Sequence, residues 1–222
     1  MLGNVSKDSM YLTRLKEKVE HEGDHPLHKN IKMQAHHAIS AAGVALSRLG
    51  RNLEEFQYDI NLLPNLVFIP STLQGACHLG VQPHRGNHIA VVSDDEDHDE
   101  QRPAPYHVMV SIRLLEMRRL MKGKCPKSNP ETIKTVKDKM DAISASIIDT
   151  IEQMPAMAPL TQVAMSFPHP SKIGCAGVDS VPTHSEMPCP VGRDHHGRQG
   201  PRQENEGISL RKPLFYRLKA GH

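Results

Sequence analysis

Fifteen of the 222 residues are histidine. Imidazole is the side chain suited both to metal ligation and to proton transfer near neutral pH, so their placement decides what chemistry the chain can do. Four segments stand out together: His36-His37, Asn65, His84 and His88. On an extended segment, adjacent histidines point to opposite faces, because strand side chains alternate. One member of the pair can then grip a metal while its neighbour takes a proton from water. Spacing leaves open which does which. His84 and His88 are four apart, so a helix running through them sets both imidazoles on one face. Two ligands from a helix start and one from a strand make a three-His site with a position left for substrate or water. An asparagine carries both donor and acceptor groups, which suits Asn65 to bracing the loop that holds a general base.

The elements that must position these residues are legible in outline. Tyr11, Leu12, Leu15 and Val19 fall on one side at helical spacing, and residues 40–56 read as a helix interrupted by Gly43 and Gly50. INLLPNLVFIP at 60–70 contains a short strand, LVFI. STLQGACHLGVQP reads as a Gly-containing loop leading into HRGNHIAVV. A helix is expected from Tyr106 to about Lys122, with Val108, Met109, Ile112 and Leu115 as its apolar face. Ser128-Asn129-Pro130-Glu131 is a good helix start, with a capping residue, proline in the first turn and then an acid. The helix that follows carries Ile133, Val136, Met140, Ile143, Ile147 and Ile151 on one face. Eight of the 17 prolines and six of the 15 glycines fall between Pro155 and Gly207, a level typical of irregular chain. The closing ISLRKPLFYRLKAGH is expected to dock back as a strand.

The quoted runs carry a family likeness. Gln34-Ala35-His36-His37, Asp59-Ile60-Asn61, Asn65-Leu66-Val67-Phe68-Ile69-Pro70 and His84-Arg85-Gly86-Asn87-His88 resemble the AHH-motif nucleases. These belong to the HNH/endonuclease VII superfamily and commonly serve as toxin modules in bacterial competition. The resemblance implies an α+β fold with a ββα-metal (His-Me finger) centre surrounded by helices. It implies one divalent ion held by His36, His84 and His88, with His37 as general base and Asn65 as its support. Hydrolysis of phosphodiester bonds follows, DNA being preferred to RNA. Two departures stand out. The family continues with a tyrosine soon after the last histidine, whereas here DDEDHDE intervenes within an acidic insertion over 90–104 before Tyr106-His107. Ala38-Ile39-Ser40 also stands where the family often has an apolar pair and proline.

The chain is read as a nuclease domain over 1–154, its centre about 34–122, followed by an irregular extension over 155–222. Lys32 and Arg85 are the candidate phosphate contacts. Arg113, Arg118, Arg119, Lys122 and Lys124 read as the solvated face of their helix or a track for a nucleic-acid backbone. His25 and His28 read as solvent-facing, and Cys77 and His78 as loop packing. Cys175, His184, Cys189 and the His195-His196 pair are zinc-capable types. Without a CxxC pair they read as exposed loop residues rather than a second metal site.

Composition sets the outer limits. A net charge of +2 does not by itself mark a nucleic-acid binder. No run approaches the about 18 apolar residues of a membrane span, and the first twenty residues lack the apolar stretch of a signal peptide. The expectation is a protein cytoplasmic in its producer, delivered elsewhere by a specialised secretion machine or carrier and matched by a cognate inhibitor. Three imidazoles fit zinc or nickel, and magnesium or manganese could serve with phosphate and waters completing the shell. The rival readings are a non-catalytic zinc-binding interaction module and a degenerate nuclease silenced by the acidic insertion.

Overall fold

A computed structural model describes residues 2–84, 105–124, 130–167, 169, 173–175, 195–196 and 207–222. It shows an α+β fold in which helices surround one small antiparallel sheet. Six helices are described: α1 (Tyr11–Val19), α2 (Ala41–Ser47), α3 (Gly50–Glu55), α4 (Leu73–Leu79), α5 (Pro105–Met121) and α6 (Pro130–Gln153). The sheet is the pair β1 (Met33–His37) and β2 (Leu66–Pro70), with His36 opposite Val67 and His37 opposite Leu66.

Opposite residues in an antiparallel pair share a face, so the hairpin has two distinct sides. Ala35, Leu66 and Phe68 pack with Leu15 and Val19 of α1. Val67 and Ile69 join the main core with Val110, Leu114 and Met117 of α5 and Met140, Ile147 and Ile151 of α6. The two histidines at the end of β1 therefore look into different environments, which is the alternation expected of a strand.

The long helix α6 buries Val136, Met140, Ile143, Ile147 and Ile151, the face that the spacing specifies. Helix α5 turns the other way from the expectation. It buries Tyr106, Val110, Leu114, Met117 and Met121, whereas Val108, Ile112 and Leu115 are exposed. Apolar residues occur nearly all round this helix, so their period cannot choose a face and the neighbours choose it. One of those neighbours is α2, where a side chain at Gly43 would meet Val110 Cγ1 at 2.5 Å. The glycine permits the close approach. The break between α2 and α3 falls at Arg48, which is in the left-handed region (φ 57°), not at either glycine.

The expected loop after β2 is instead helical. Thr72 caps α4 by accepting from the Gly75 amide, and Gly80 ends it with φ +73°. The start and stop signals are ordinary; the glycine at 75 disguises them. A Cβ there would lie 2.8 Å from Ile31 Cγ2.

The C-terminal segment does dock back, though its described residues form no strand. The Phe68 amide donates to His222 O and the Gly221 amide to Leu66 O, each at 2.6 Å, so residues 221–222 cover the open edge of β2. Glu152, buried near the end of α6, accepts from the Leu218 amide at 2.8 Å and from Arg217 at 3.0 Å. No helix among the described residues is long and apolar enough to cross a membrane.

Candidate active site

The structure brings His36 and His84 together from positions far apart in the chain. Their ring centroids are 4.7 Å apart, edge to face, and both residues are buried. His84 reaches this place because its amide donates to Pro70 O at the end of β2. Burial pushes the His84 imidazole down to about 3, with Lys7 and His37 adding to the shift, so it is neutral and fit to ligate near pH 7.

The Tyr106 hydroxyl decides which nitrogen His36 offers. It donates its single proton to Ala38 O at 2.6 Å, and His36 Nε2 lies 2.8 Å from the same oxygen. A carbonyl only accepts, so towards the histidine the phenol must accept and Nε2 must carry the proton. When the ring is neutral its lone pair is therefore at Nδ1. Fixing a tautomer in this way is what a partner behind a metal-ligating histidine does.

On the other face, His37 Nε2 lies 3.1 Å from Asn61 Oδ1. The orientation of that amide is set by its other bonds. Its nitrogen donates to Ser6 O and Asp59 Oδ1, each at 2.9 Å, and its oxygen accepts from the Asp8 amide at 3.1 Å. An acceptor therefore faces His37, whose proton sits on Nε2. The lone pair is on Nδ1, a buried atom without a hydrogen-bond partner among the described residues. Burial pushes this imidazole down to about 4, partly offset by Asn61, which keeps it in the proton-accepting form at neutral pH. Tyr11 packs on the ring at 4.5 Å.

Asn65 uses its whole hydrogen-bonding capacity inside the fold. Its oxygen accepts from the Ile39 amide at 2.7 Å and Ser144 Oγ at 2.9 Å, and its nitrogen donates to Ile39 O at 3.0 Å and Ile60 O at 2.8 Å. The turn leaving β1 is thereby tied to α6 and to the segment carrying Asn61.

The remaining candidates divide. Lys32 is exposed at the opposite end of β1, about 13 Å from His36 at the usual rise per strand residue, and the structure does not bring it to the histidines. Lys7 lies near enough for its charge to lower both His37 and His84. Nothing in the local sequence marks Lys7, and Asn61 and Tyr106 lie within the quoted family runs without a role that spacing could assign. Arg113 donates to Ser146 and Thr150 of α6, and Arg118 to Ser47 O, so two members of the basic run tie helices together. His25 is buried and packs on Phe68, against the solvent-facing expectation, whereas His28 is exposed as expected, its Nε2 bonding Val19 O at 2.9 Å. Cys175 and His195 are fully buried rather than exposed. The expectations for Arg85, His88, the acidic insertion 90–104, His184 and Cys189 lie outside the described residues.

The family model for AHH, a nuclease family of the HNH/ENDO VII superfamily with conserved AHH, matches residues 15–140. The chain belongs to this AHH family. No curated protein and no solved structure matches it. The matched span of this AHH nuclease contains both strands, α5 and the start of α6, together with His36, His37, Asn61, Asn65, His84 and Tyr106. Its substrate is accordingly nucleic acid.

The donor set fits a divalent ion. Two buried imidazoles face one another, the His36 tautomer set by a phenol and His84 kept neutral by its burial. Imidazole suits zinc, nickel and related ions.

Proposed function

We propose that this AHH nuclease is a metal-dependent endonuclease that hydrolyses DNA phosphodiester bonds. In this reading His36 and His84 hold the ion with His88, and the three form the ligand set of a ββα-metal centre within a nuclease domain spanning 1–154. When bound, a divalent ion supplies Lewis-acid stabilisation of the phosphate and the leaving oxygen.

The chain's own groups do the rest. His37 Nδ1 accepts the proton of the attacking water, with Asn61 fixing the tautomer that makes this atom basic. Asn65 holds the turn beyond the histidines against α6, so the base keeps its aim. Tyr106 presents His36 Nδ1. Lys7 offers a cation to the phosphate backbone from the N-terminal segment, with Lys32 at the far end of β1 as a further phosphate contact. Adjacent placement of a base and a ligand on opposite faces of one strand end divides the labour between two neighbouring residues. The observation that carries the reading is the buried Nδ1 of His37, which has no hydrogen-bond partner among the described residues and adjoins His36 in the strand: a buried lone pair left unpaired calls for a use.

The toxin role, a cognate inhibitor and a secretion carrier belong to the same proposal and rest on the family likeness. Expression of the chain in a bacterial cytoplasm is expected to arrest growth, and His37→Ala to relieve the arrest.

The direct test is plasmid digestion by purified protein across Mg²⁺, Mn²⁺, Zn²⁺, Ni²⁺ and chelator, beside His37→Ala. Cleavage with at least one metal, abolished by chelator, is expected. Loss of the general base should slow it by about 10²–10⁴-fold without loss of folding or metal. No nicking under any condition would replace this reading with a metal-binding interaction module.

A further inference from the structure

Away from the hairpin, three residues separated widely along the chain converge. Cys77 lies in α4, Cys175 and His195 in the C-terminal region, and their ligand atoms all lie within 4.8 Å of one another. All three are fully buried. We propose that Cys77, Cys175 and His195 bind a structural zinc ion that fastens the C-terminal region to α4.

The distances suit that ion. With Zn–S of about 2.3 Å and Zn–N of about 2.1 Å, tetrahedral angles place two sulfurs about 3.8 Å apart and a sulfur and nitrogen about 3.6 Å apart. Cys175 Sγ and His195 Nε2 are 3.3 Å apart, and the third donor closes the triangle within the stated limit. The donor types also choose the metal: thiolate with imidazole selects zinc over the hard, oxygen-seeking ions.

Charge supports the assignment. Leu73, Ala76, Val163, Phe167 and Ile173 form one apolar cluster with the two cysteines. Such a wall disfavours an isolated charge. A divalent ion with two thiolates and a neutral imidazole carries no net charge, so it can be buried there with its ligands deprotonated.

His195 is also held from behind. Its amide donates to His78 Nδ1 at 3.0 Å, and His78 Nε2 bonds Leu210 O at 3.0 Å. An acceptor at Nδ1 and a donor at Nε2 is one consistent neutral tautomer. The residue after Cys77 thus positions the imidazole of the triad and holds the segment at Leu210, the kind of supporting contact that orients metal ligands. Three ligands leave the fourth tetrahedral place to water or a further side chain.

The site explains how a proline- and glycine-rich region is held in place. The described residues between Met154 and Leu218 include one short 3₁₀ turn and no strand, so backbone pairing contributes little there. Binding free energy at a site absent from the unfolded chain becomes folding free energy. This site does not depend on the nuclease reading.

The test uses the full-length wild-type protein, purified under reducing conditions and dialysed. It should retain zinc that is released in step with titration of its thiols by a mercurial. Replacing the zinc by Co²⁺ should give a near-ultraviolet sulfur-to-cobalt charge-transfer band, which histidine ligands at the hairpin cannot produce. Cys77→Ser and Cys175→Ser should each weaken or abolish the band and lower the melting temperature. Should either variant fail to fold, the two wild-type readings decide. Absence of thiol-released zinc and of the band in wild type would overturn the proposal, as would a band of full strength in both serine variants.

Discussion

Removal of one oxygen atom, by Tyr106→Phe, separates the roles of the fold and the site. The phenol is fully buried and its hydroxyl joins Ala38 O to His36 Nε2. Deleting it leaves a carbonyl and an imidazole N–H without that partner inside the core. Each loss costs about 1–3 kcal/mol, less what is regained by no longer burying the hydroxyl, so a drop of roughly 2–4 kcal/mol is expected. Most domains have about 5–15 kcal/mol in hand, so the variant should fold. The site should suffer separately, because Nε2–H no longer has the phenol as the acceptor that holds the proton on that nitrogen, and the presentation of Nδ1 weakens. Loss of such a partner typically costs about 10–100-fold in metal affinity, or about 1.4–2.7 kcal/mol. Cleavage rate measured against metal concentration should therefore show its midpoint moved up by that factor, with the rate recovering at saturating metal. Imidazole ¹⁵N shifts of the metal-free protein should show His36 protonated at Nε2 in wild type and mixed in the variant. A folded Tyr106→Phe with an unchanged metal midpoint would refute the tautomer argument.

Three further outcomes are expected. Lys7→Gln should weaken nucleic-acid binding and reduce the magnitude of the logarithmic salt slope by about 1, as for loss of one phosphate contact; an unchanged slope would place Lys7 outside the interface. Asn65→Ala removes four hydrogen bonds from buried groups and should cost roughly 4 kcal/mol or more, read as a shifted denaturation midpoint; a change under 1 kcal/mol would contradict its bracing role. Burial lowers His25 to about 4, and its Nδ1 accepts from the Leu27 amide. The unfolded chain therefore binds more protons than the native one between pH 6.5 and about 4, so stability falls on acidification through that window. The shift corresponds to about 3 kcal/mol once complete. His25→Asn keeps a capping acceptor and removes the titration, so it should resist acid better than wild type by about that amount; parallel pH profiles would exclude His25 as the cause.

How much of this was legible beforehand depends on the range of the interactions. The β-branched run at 66–69 and the regular spacing along α6 are local signals, and both elements form where they indicate. The period of α5 is ambiguous because its sequence is apolar on several sides, so its orientation comes from α2 and α6. Helix α4 was hidden by Gly75, whose small size is demanded by Ile31 across the core rather than by a turn. At the site, the histidine pair, Asn65 and His84 stand out by residue type. The amide of Asn61 and the phenol of Tyr106 acquire their roles only when chain segments 24 and 70 residues away meet them. The same holds for Cys77, Cys175 and His195, whose separation in sequence conceals a common destination.

The Nδ1 of His37, without a hydrogen-bond partner among the described residues, has a consequence for anyone wishing to disarm this molecule. Asn65 and Tyr106 are woven into the core, and silencing the enzyme through either also loosens it. His37 contributes one bond to an amide that keeps its other contacts, and it holds a polar atom where an apolar one would rest more comfortably. With His37 as the proposed base, substitution there is the route to an inert yet sturdy copy, suitable for capturing intact substrate. By the same reasoning, chance mutation can extinguish this activity while leaving the architecture whole, so a preserved shape is poor testimony that a relative still cuts.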